Sequence, residues 1–275
     1  MMIDDDRILE GRSIERPQSK IDGLSVCVVA HNEEDNIAAV MGSAAGWVGE
    51  IVVLDCESTD RTAEIARGLG ATLYEHPNGI PEASKNAAAD LAVNEWILML
   101  DADELIPEPL WLEIAATIAR NPVENAFRIP RRNFYFGVPL LHGGQYPNHQ
   151  LRLFRRGLCR YPGVGIHEYP VVDGATGELR NPFDHHPYPT YEVWIRKLDY
   201  YTMMGARQLE ERNVPITPRT IRRYMITRPL RRWFERLILK KGISDGVPGV
   251  LAATSDLFTN ILSFGRYWMG KNRQP

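Results

Sequence analysis

The sequence contains no run of about 18 uninterrupted apolar residues, the length a membrane-crossing helix needs, so no spanning segment is expected. Its first stretch, Met1 to Lys20, is acidic and polar where a secretory leader is basic and then apolar. Together these absences predict a protein that stays in the cytoplasm. Cysteine is scarce: Cys27, Cys56 and Cys159 lie far apart and form neither a CxxC pair nor a disulfide framework. They are expected to be reduced thiols in apolar surroundings. No GxGxxG follows the first apolar run and no GxxxxGK[ST] occurs, which argues against a dinucleotide enzyme and a P-loop kinase. Repeats of fixed period and low-complexity segments are missing too.

What is present suits a folded chain with a sizeable core. At 275 residues and 44% hydrophobic, it can form one large domain, or one domain with an appendage. The formal net charge of -3 conceals an asymmetry. From Tyr191 to Pro275 the net charge is about +9, so the preceding residues carry about -12. The two halves are expected to meet different partners.

Apolar runs alternate with helical spacing through the first half. Leu24 to Ala30, Ile51 to Leu54, Ala71 to Tyr74 and Trp96 to Leu100 read as strands. Between and after them, Glu33 to Ala45, Asp60 to Leu69, Pro81 to Val93 and Glu108 to Arg120 read as helices. That alternation predicts a doubly wound, mostly parallel α/β sheet covered on both faces. Beyond Asn125 the extended runs Phe127 to Pro130 and Leu151 to Arg155, set among loops rich in Gly, Pro and His, predict a mixed-sheet extension. From Tyr191 onward helical spacing returns. The expected organisation is a tail over 1–20, a catalytic domain over 21–190 and a basic helical region over 191–275.

In such a sheet, ligands bind outside the carboxyl ends of the strands. His31, Asn32, Glu33 and Glu34 follow the first strand, Asp55, Glu57, Ser58 and Asp60 the second, and Asp101, Asp103 and Glu104 the fourth. An acidic rim repels bare phosphate unless a hard cation intervenes or the carboxylates grip sugar hydroxyls. Asp101 and Asp103 suit both uses, one carboxylate toward a sugar and the other toward a metal bridging a diphosphate. A helix-capping cluster accounts equally well for Ser58, Thr59 and Asp60.

The segments Ser25-Val-Cys-Val-Val-Ala-His-Asn-Glu-Glu34, Ile51-Val-Val-Leu-Asp-Cys-Glu-Ser-Thr-Asp-Arg-Thr62, Lys85-Asn-Ala-Ala and Leu98-Met-Leu-Asp-Ala-Asp-Glu104 resemble family 2 glycosyltransferases of the GT-A fold. The resemblance implies an inverting transfer from a nucleoside-diphosphate sugar, commonly a UDP-sugar. It places Ala30, Asn32, Glu33 and Asp55 on the uridine and ribose, Lys85 near the diphosphate, and Asp101 and Asp103 at the metal and sugar site. Arg152-Leu-Phe-Arg155, Gly165-Ile-His-Glu168, His185-His186-Pro-Tyr188, Arg228-Pro-Leu-x-Arg-Trp-Phe234 and Lys241-Gly-x-x-Asp-Gly246 resemble the branch that includes lipopolysaccharide inner-core β-glucosyltransferases. That branch implies glucose as the sugar and a lipid-linked saccharide as the acceptor.

An inverting displacement needs one general base, and Glu168 is the candidate; an ion pair with Arg152 or Arg155 is the alternative for it. His185 is the candidate third metal ligand, with His167 and His186 competing. The cation is expected to be Mg or Mn. His142, Gln145, Tyr146 and His149 lie in a Gly-rich loop that could cover the acceptor.

Between Arg219 and Lys241, arginines and lysines interleave with Tyr224, Met225, Leu230, Trp233, Phe234, Leu237 and Ile238. This composition predicts an amphipathic helix on the anionic inner face of the cytoplasmic membrane, broken at Pro229. A core-facing helix with a solvated basic face is the alternative. No groove-reading or base-stacking motif accompanies the stripe, so nucleic acid is not expected as a partner. Two other functions stay open at this point: transfer to a polyprenyl-phosphate carrier, which needs no base, and a non-catalytic nucleotide-sugar-binding scaffold.

Overall fold

The computed structural model describes residues 20–79, 81–162 and 169–272. The expected tail, apart from Lys20, lies outside these residues, as do His167 and Glu168.

The first half alternates β1 (Ile21–Ala30), α1 (Ile37–Ala44), β2 (Val48–Asp55), α2 (Thr62–Gly68), β3 (Thr72–Glu75), α3 (Pro81–Leu91), β4 (Trp96–Asp101), β5 (Glu104–Leu105) and α4 (Glu108–Ala119). Strands β3, β2, β1 and β4 are hydrogen-bonded in that order and run parallel. Chain order therefore reverses between β1 and β4, and the crevice at their carboxyl ends is where a ligand belongs. Both central strands are buried on both faces. Leu24, Val26 and Val28 of β1, with Trp96, Leu98 and Leu100 of β4, join Ile37, Met41, Trp47 and Trp111 in one core cluster. Their alternates Cys27, Ile97 and Met99 join Ala88 of α3 and Ala92 just after it in another. Trp47 and Trp111 stack with centroids 5.7 Å apart, and the Trp111 indole N–H donates to the Ser43 carbonyl at 2.8 Å.

The second half adds β6 (Ala126–Tyr135), β7 (Val138–Pro139), β8 (Asn148–Arg155), β9 (Cys159–Arg160), β10 (Val171–Val172), β11 (Thr176–Glu178) and β12 (Phe183–Tyr188). Strand β8 pairs antiparallel with both β4 and β6, and β12 runs parallel to β6 and antiparallel to β5. The expected mixed extension is thus continuous with the parallel sheet. Its strands reach further than the apolar runs suggested, because Arg131, Asn133 and Tyr135 continue β6 with polar side chains turned toward a cavity.

Helix α5 (Tyr191–Glu211) packs on α8 (Gly246–Asn272). Between them run α6 (Pro218–Arg222), a π-helical turn Arg223–Thr227, α7 (Arg228–Phe234) and a second π-helical turn Glu235–Leu239. The break expected at Pro229 does not occur. The Arg228 N–H bonds the Arg223 carbonyl five residues back. That wider turn accommodates the following proline, whose ring would clash in a regular α-helical register. No described helix is long and apolar enough to cross a membrane. Cys27, Cys56 and Cys159 are free and buried, and burial pushes the Cys27 and Cys159 thiols up to about 12.

Candidate active site

The carboxyl ends of β1 and β4, with residues from β6, β8, β12 and α5, surround a cavity of about 850 Å³. Ala30, Glu33, Lys85, Asp101, Asp103 and His185 all line it. Asn32 and Asp55 do not. Asn32 takes a positive φ of 55°, which Asn tolerates better than most residues, and its side-chain carbonyl accepts the Thr59 N–H at 2.8 Å. It ties the β1 loop to the β2 loop. The Ser58 hydroxyl returns the tie by accepting the Asn32 N–H, while Asp60 accepts N–H bonds from Glu34 and Thr62. Asp55 is buried at the end of β2, where one carboxylate oxygen accepts the Ser58 N–H at 3.2 Å. The other, Oδ1, is buried with no hydrogen-bond partner among the described residues.

Asp101 is held from two sides. Lys85 Nζ donates to Oδ1 at 2.7 Å and Arg152 Nη2 donates to Oδ2 at 2.5 Å. Arg152 also donates to Glu104 Oε1 at 2.5 Å, and the Asp101 N–H donates to Glu104 Oε2 at 3.0 Å. Glu104, fully buried, therefore fixes both the arginine and the end of β4. Burial works against ionisation of Asp101, but Arg152 and Lys85 overcome it and hold that carboxyl well below its usual range. For Glu104 burial prevails, and its carboxyl is raised despite Arg152.

Asp103 meets a different set. Its Oδ1 lies 3.5 Å from His185 Nε2 and its Oδ2 lies 3.4 Å from Lys197 Nζ. On its other side, the His185 ring places Nδ1 2.8 Å from Asn133 Oδ1. Asn133 turns its amide nitrogen to the Gln145 side-chain oxygen, 3.2 Å away, so its own oxygen faces the imidazole and accepts from Nδ1–H. In the neutral ring the Nε2 lone pair then points at the Asp103 carboxylate. Two electron-pair donors then face each other across 3.5 Å, an arrangement suited to holding a metal cation between them. Burial would raise Asp103, yet the hydrogen bond and charge of His185, with Lys197, bring it down to about 2. His186, next along the strand, points to the opposite face and stacks on Phe134 at 4.5 Å. His185, not His186, therefore stands beside Asp103. No cluster of three His, Cys, Asp or Glu side chains poised for a metal occurs among the described residues.

The family model for glycosyl transferase family 2 matches residues 25–166, just over half of the chain. This chain belongs to that family. An uncharacterized glycosyltransferase of Rickettsia typhi is 25% identical to the transferase over 241 residues, covering 84% of this chain and 82% of that protein. The lipopolysaccharide core biosynthesis glycosyltransferase LpsC of Rhizobium meliloti is 26% identical over 240 residues, covering 84% and 86%. A mannosyltransferase from Pyrobaculum calidifontis, solved with GDP-Man and Mn2+, superposes with a TM-score of 0.53 at 14% identity over 90% of this chain and 88% of that one. The shared architecture is GT-A: a curled, mostly parallel sheet with a helical C-terminal region.

Several residues at the transferase's cavity escaped the sequence reading. Arg152 stood out only as a motif residue and a partner for Glu168, yet it binds Asp101 and Glu104, while Arg155 pairs with Glu95. Asn133 lies past the point where the apolar run stops, and only its place on β6 opposite His185 reveals it. Lys197 and Tyr201 come from α5, beyond the expected domain boundary. Within the Gly-rich loop, Gln145 lines the cavity, but His142 turns away to Asp245, Nδ1 to Oδ1 2.6 Å, and His149 is exposed.

Proposed function

We propose that the transferase moves a hexose, glucose by its resemblance to the inner-core branch, from a UDP-sugar to a hydroxyl of a lipid-linked saccharide, with inversion. The observation that carries this reading is the facing pair Asp103 and His185, set beside Lys85, Asp101 and Arg152 at the strand ends. Asp103 and His185 would hold Mg or Mn through one carboxylate and one imidazole. The Asn133 hydrogen bond favours this fit, since it holds His185 in the tautomer that ligates through Nε2. Bound there, the cation would supply Lewis-acid stabilisation to the departing diphosphate.

The chain's own groups account for the rest. Asp55, which the resemblance places on the uridine, stands behind the cavity lining, and its buried Oδ1, without a partner among the described residues, is what supports keeping it with the donor. Lys85 and Arg152 keep Asp101 ionised and in place to accept from sugar hydroxyls. In the transfer the acceptor oxygen bonds to the anomeric carbon, the anomeric carbon–oxygen bond to the diphosphate breaks, and the hydroxyl proton passes to a carboxylate. Glu168 is our assignment for that base. It lies outside the described residues, but Tyr161 and Tyr169, on either side of its segment, both line the cavity.

The basic helix supports a membrane-surface acceptor. Ile226, Leu230, Phe234 and Ile238 recur every four residues and are each about half exposed. The two π-helical turns keep that four-residue spacing on one side. Arg219, Arg222, Arg223, Arg231 and Lys241 are exposed with no acid partner among the described residues, whereas Arg232 and Arg236 pair with Asp256. An apolar stripe flanked by unpaired cations suits the anionic inner face of the cytoplasmic membrane.

Calorimetric binding of UDP-, GDP- and dTDP-sugars, with Mn2+ and after its removal by chelation, tests the donor assignment. One UDP-sugar should bind in a metal-dependent manner, and Asp103→Ala should abolish that dependence. Transfer by Glu168→Gln should fall by about 100-fold or more. Absence of binding to every nucleotide sugar would sink the assignment.

A further inference from the structure

Strand β6 alternates its side chains, so Arg131, Asn133 and Tyr135 share the cavity face while Arg132 points the other way and pairs with Asp184 at 2.7 Å. Arg131 differs from the neighbouring arginines. Arg152 binds Asp101 and Glu104, Arg155 binds Glu95 and Arg160 binds Asp90. Arg131 has no acid partner among the described residues, and its Nε is buried without an acceptor. A guanidinium partly stripped of water and left without counter-charge is costly, and the planar fork it presents matches a carboxylate or phosphate.

Its position says which substrate would bring the anion. Arg131 lies two residues from Asn133, roughly 7 Å along the strand at about 3.3 Å per residue. Asn133 holds His185 beside Asp103, where the donor diphosphate is placed by the reading above, on which this inference rests. That reading already places Lys85 and a cation near the diphosphate, and Arg152 is taken up by Asp101 and Glu104. Arg131 instead sits on the wall that Asn133 and Tyr135 of β6 and Tyr201 of α5 line with it. We propose that Arg131 is an anion subsite for the acceptor, and that the accepting saccharide carries a carboxylate or phosphate on the reacting sugar or its immediate neighbour.

Ligand-observed NMR titrations of methyl glucoside, glucuronate and glucose 6-phosphate, on protein saturated with UDP and Mn2+, test this. At least one anionic probe should bind about tenfold more tightly than methyl glucoside. Whichever of the two binds better identifies an acidic or a phosphorylated sugar as the source. In Arg131→Met the preference should fall to within about twofold while UDP affinity is unchanged, and Arg131→Lys should retain part of it. Equal binding of neutral and anionic probes by the wild type would overturn the proposal. So would a loss of UDP affinity in Arg131→Met, which would move the arginine to the donor. If the wild type binds no UDP at all, the donor assignment itself fails, a result separable from failure of the acceptor subsite.

Discussion

The side chains of Asp101 and Asp103 meet different partners. Asp101 is committed to Lys85 and Arg152, whereas Asp103 faces an imidazole whose tautomer Asn133 sets. Because the outer hydrogen bond governs how His185 presents Nε2, Asn133→Ala should weaken Mn2+-dependent UDP binding by roughly 10- to 100-fold with little change in thermal unfolding. Calorimetry with and without the metal reads this directly. Arg152 is predicted to matter for folding as much as for chemistry. Its removal strands the fully buried Glu104 without its cation, so Arg152→Met should cost about 3–5 kcal/mol in urea unfolding. The sign of the pH dependence follows from Glu104, whose folded carboxyl is already raised by burial and rises further once the arginine is gone. The folded state then holds a proton that the unfolded state releases, so stability falls as pH rises. The defect should therefore shrink when unfolding is measured at about pH 5 instead of about pH 8.

Among the elements, the stretch from α6 to the second π-helical turn has two unlike sides. One side is fastened to the body: Pro229 and Leu237 are buried, and Arg232 and Arg236 grip Asp256 of α8. The other presents Leu230 and Phe234 outward. Replacing both by Glu should leave thermal unfolding nearly unchanged, because neither residue belongs to a core cluster. Vesicle sedimentation with anionic lipid should nevertheless show binding weakened by about tenfold or more, from lost apolar insertion and added repulsion. Undiminished sedimentation would show that the stripe does not meet lipid.

For the whole molecule, the C-terminal helices pack against the sheet and add residues to the cavity lining. Trp194 of α5 packs with Tyr135 and Leu140, and its indole N–H donates to Ser255 of α8 at 2.8 Å. The His142–Asp245 pair joins the Gly-rich loop to the segment before α8, and Gly143 and Gly242 meet closely there: a Cβ on Gly242 would lie 2.7 Å from the Arg236 carbonyl. Lys197 and Tyr201 complete the cavity from α5. A chain cut after residue 190 should therefore lose transfer activity and unfold at lower temperature. Transfer assays and calorimetric melting of the truncated protein check both, and retained transfer would restore the boundary that the charge asymmetry suggested.

The sequence by itself determined the βα alternation, the burial of the central strands and the acids at their carboxyl ends. These depend on local periodicity and on residues adjacent in the chain: Val26, Val28 and Leu98 must be covered, and Asp101 ends β4 with Asp103 just beyond it. The tertiary structure decided which groups act on one another. Only the pairing of β12 with β6 sets His185 opposite Asn133, and only the antiparallel β8 brings Arg152 between Asp101 and Glu104. Asn32, prominent in the strand-end motif, is occupied in joining two loops, while Arg131, unremarkable in sequence, stands on the cavity wall without a counter-charge among the described residues. Such roles depend on distances between residues far apart in the chain, which periodicity and composition do not encode.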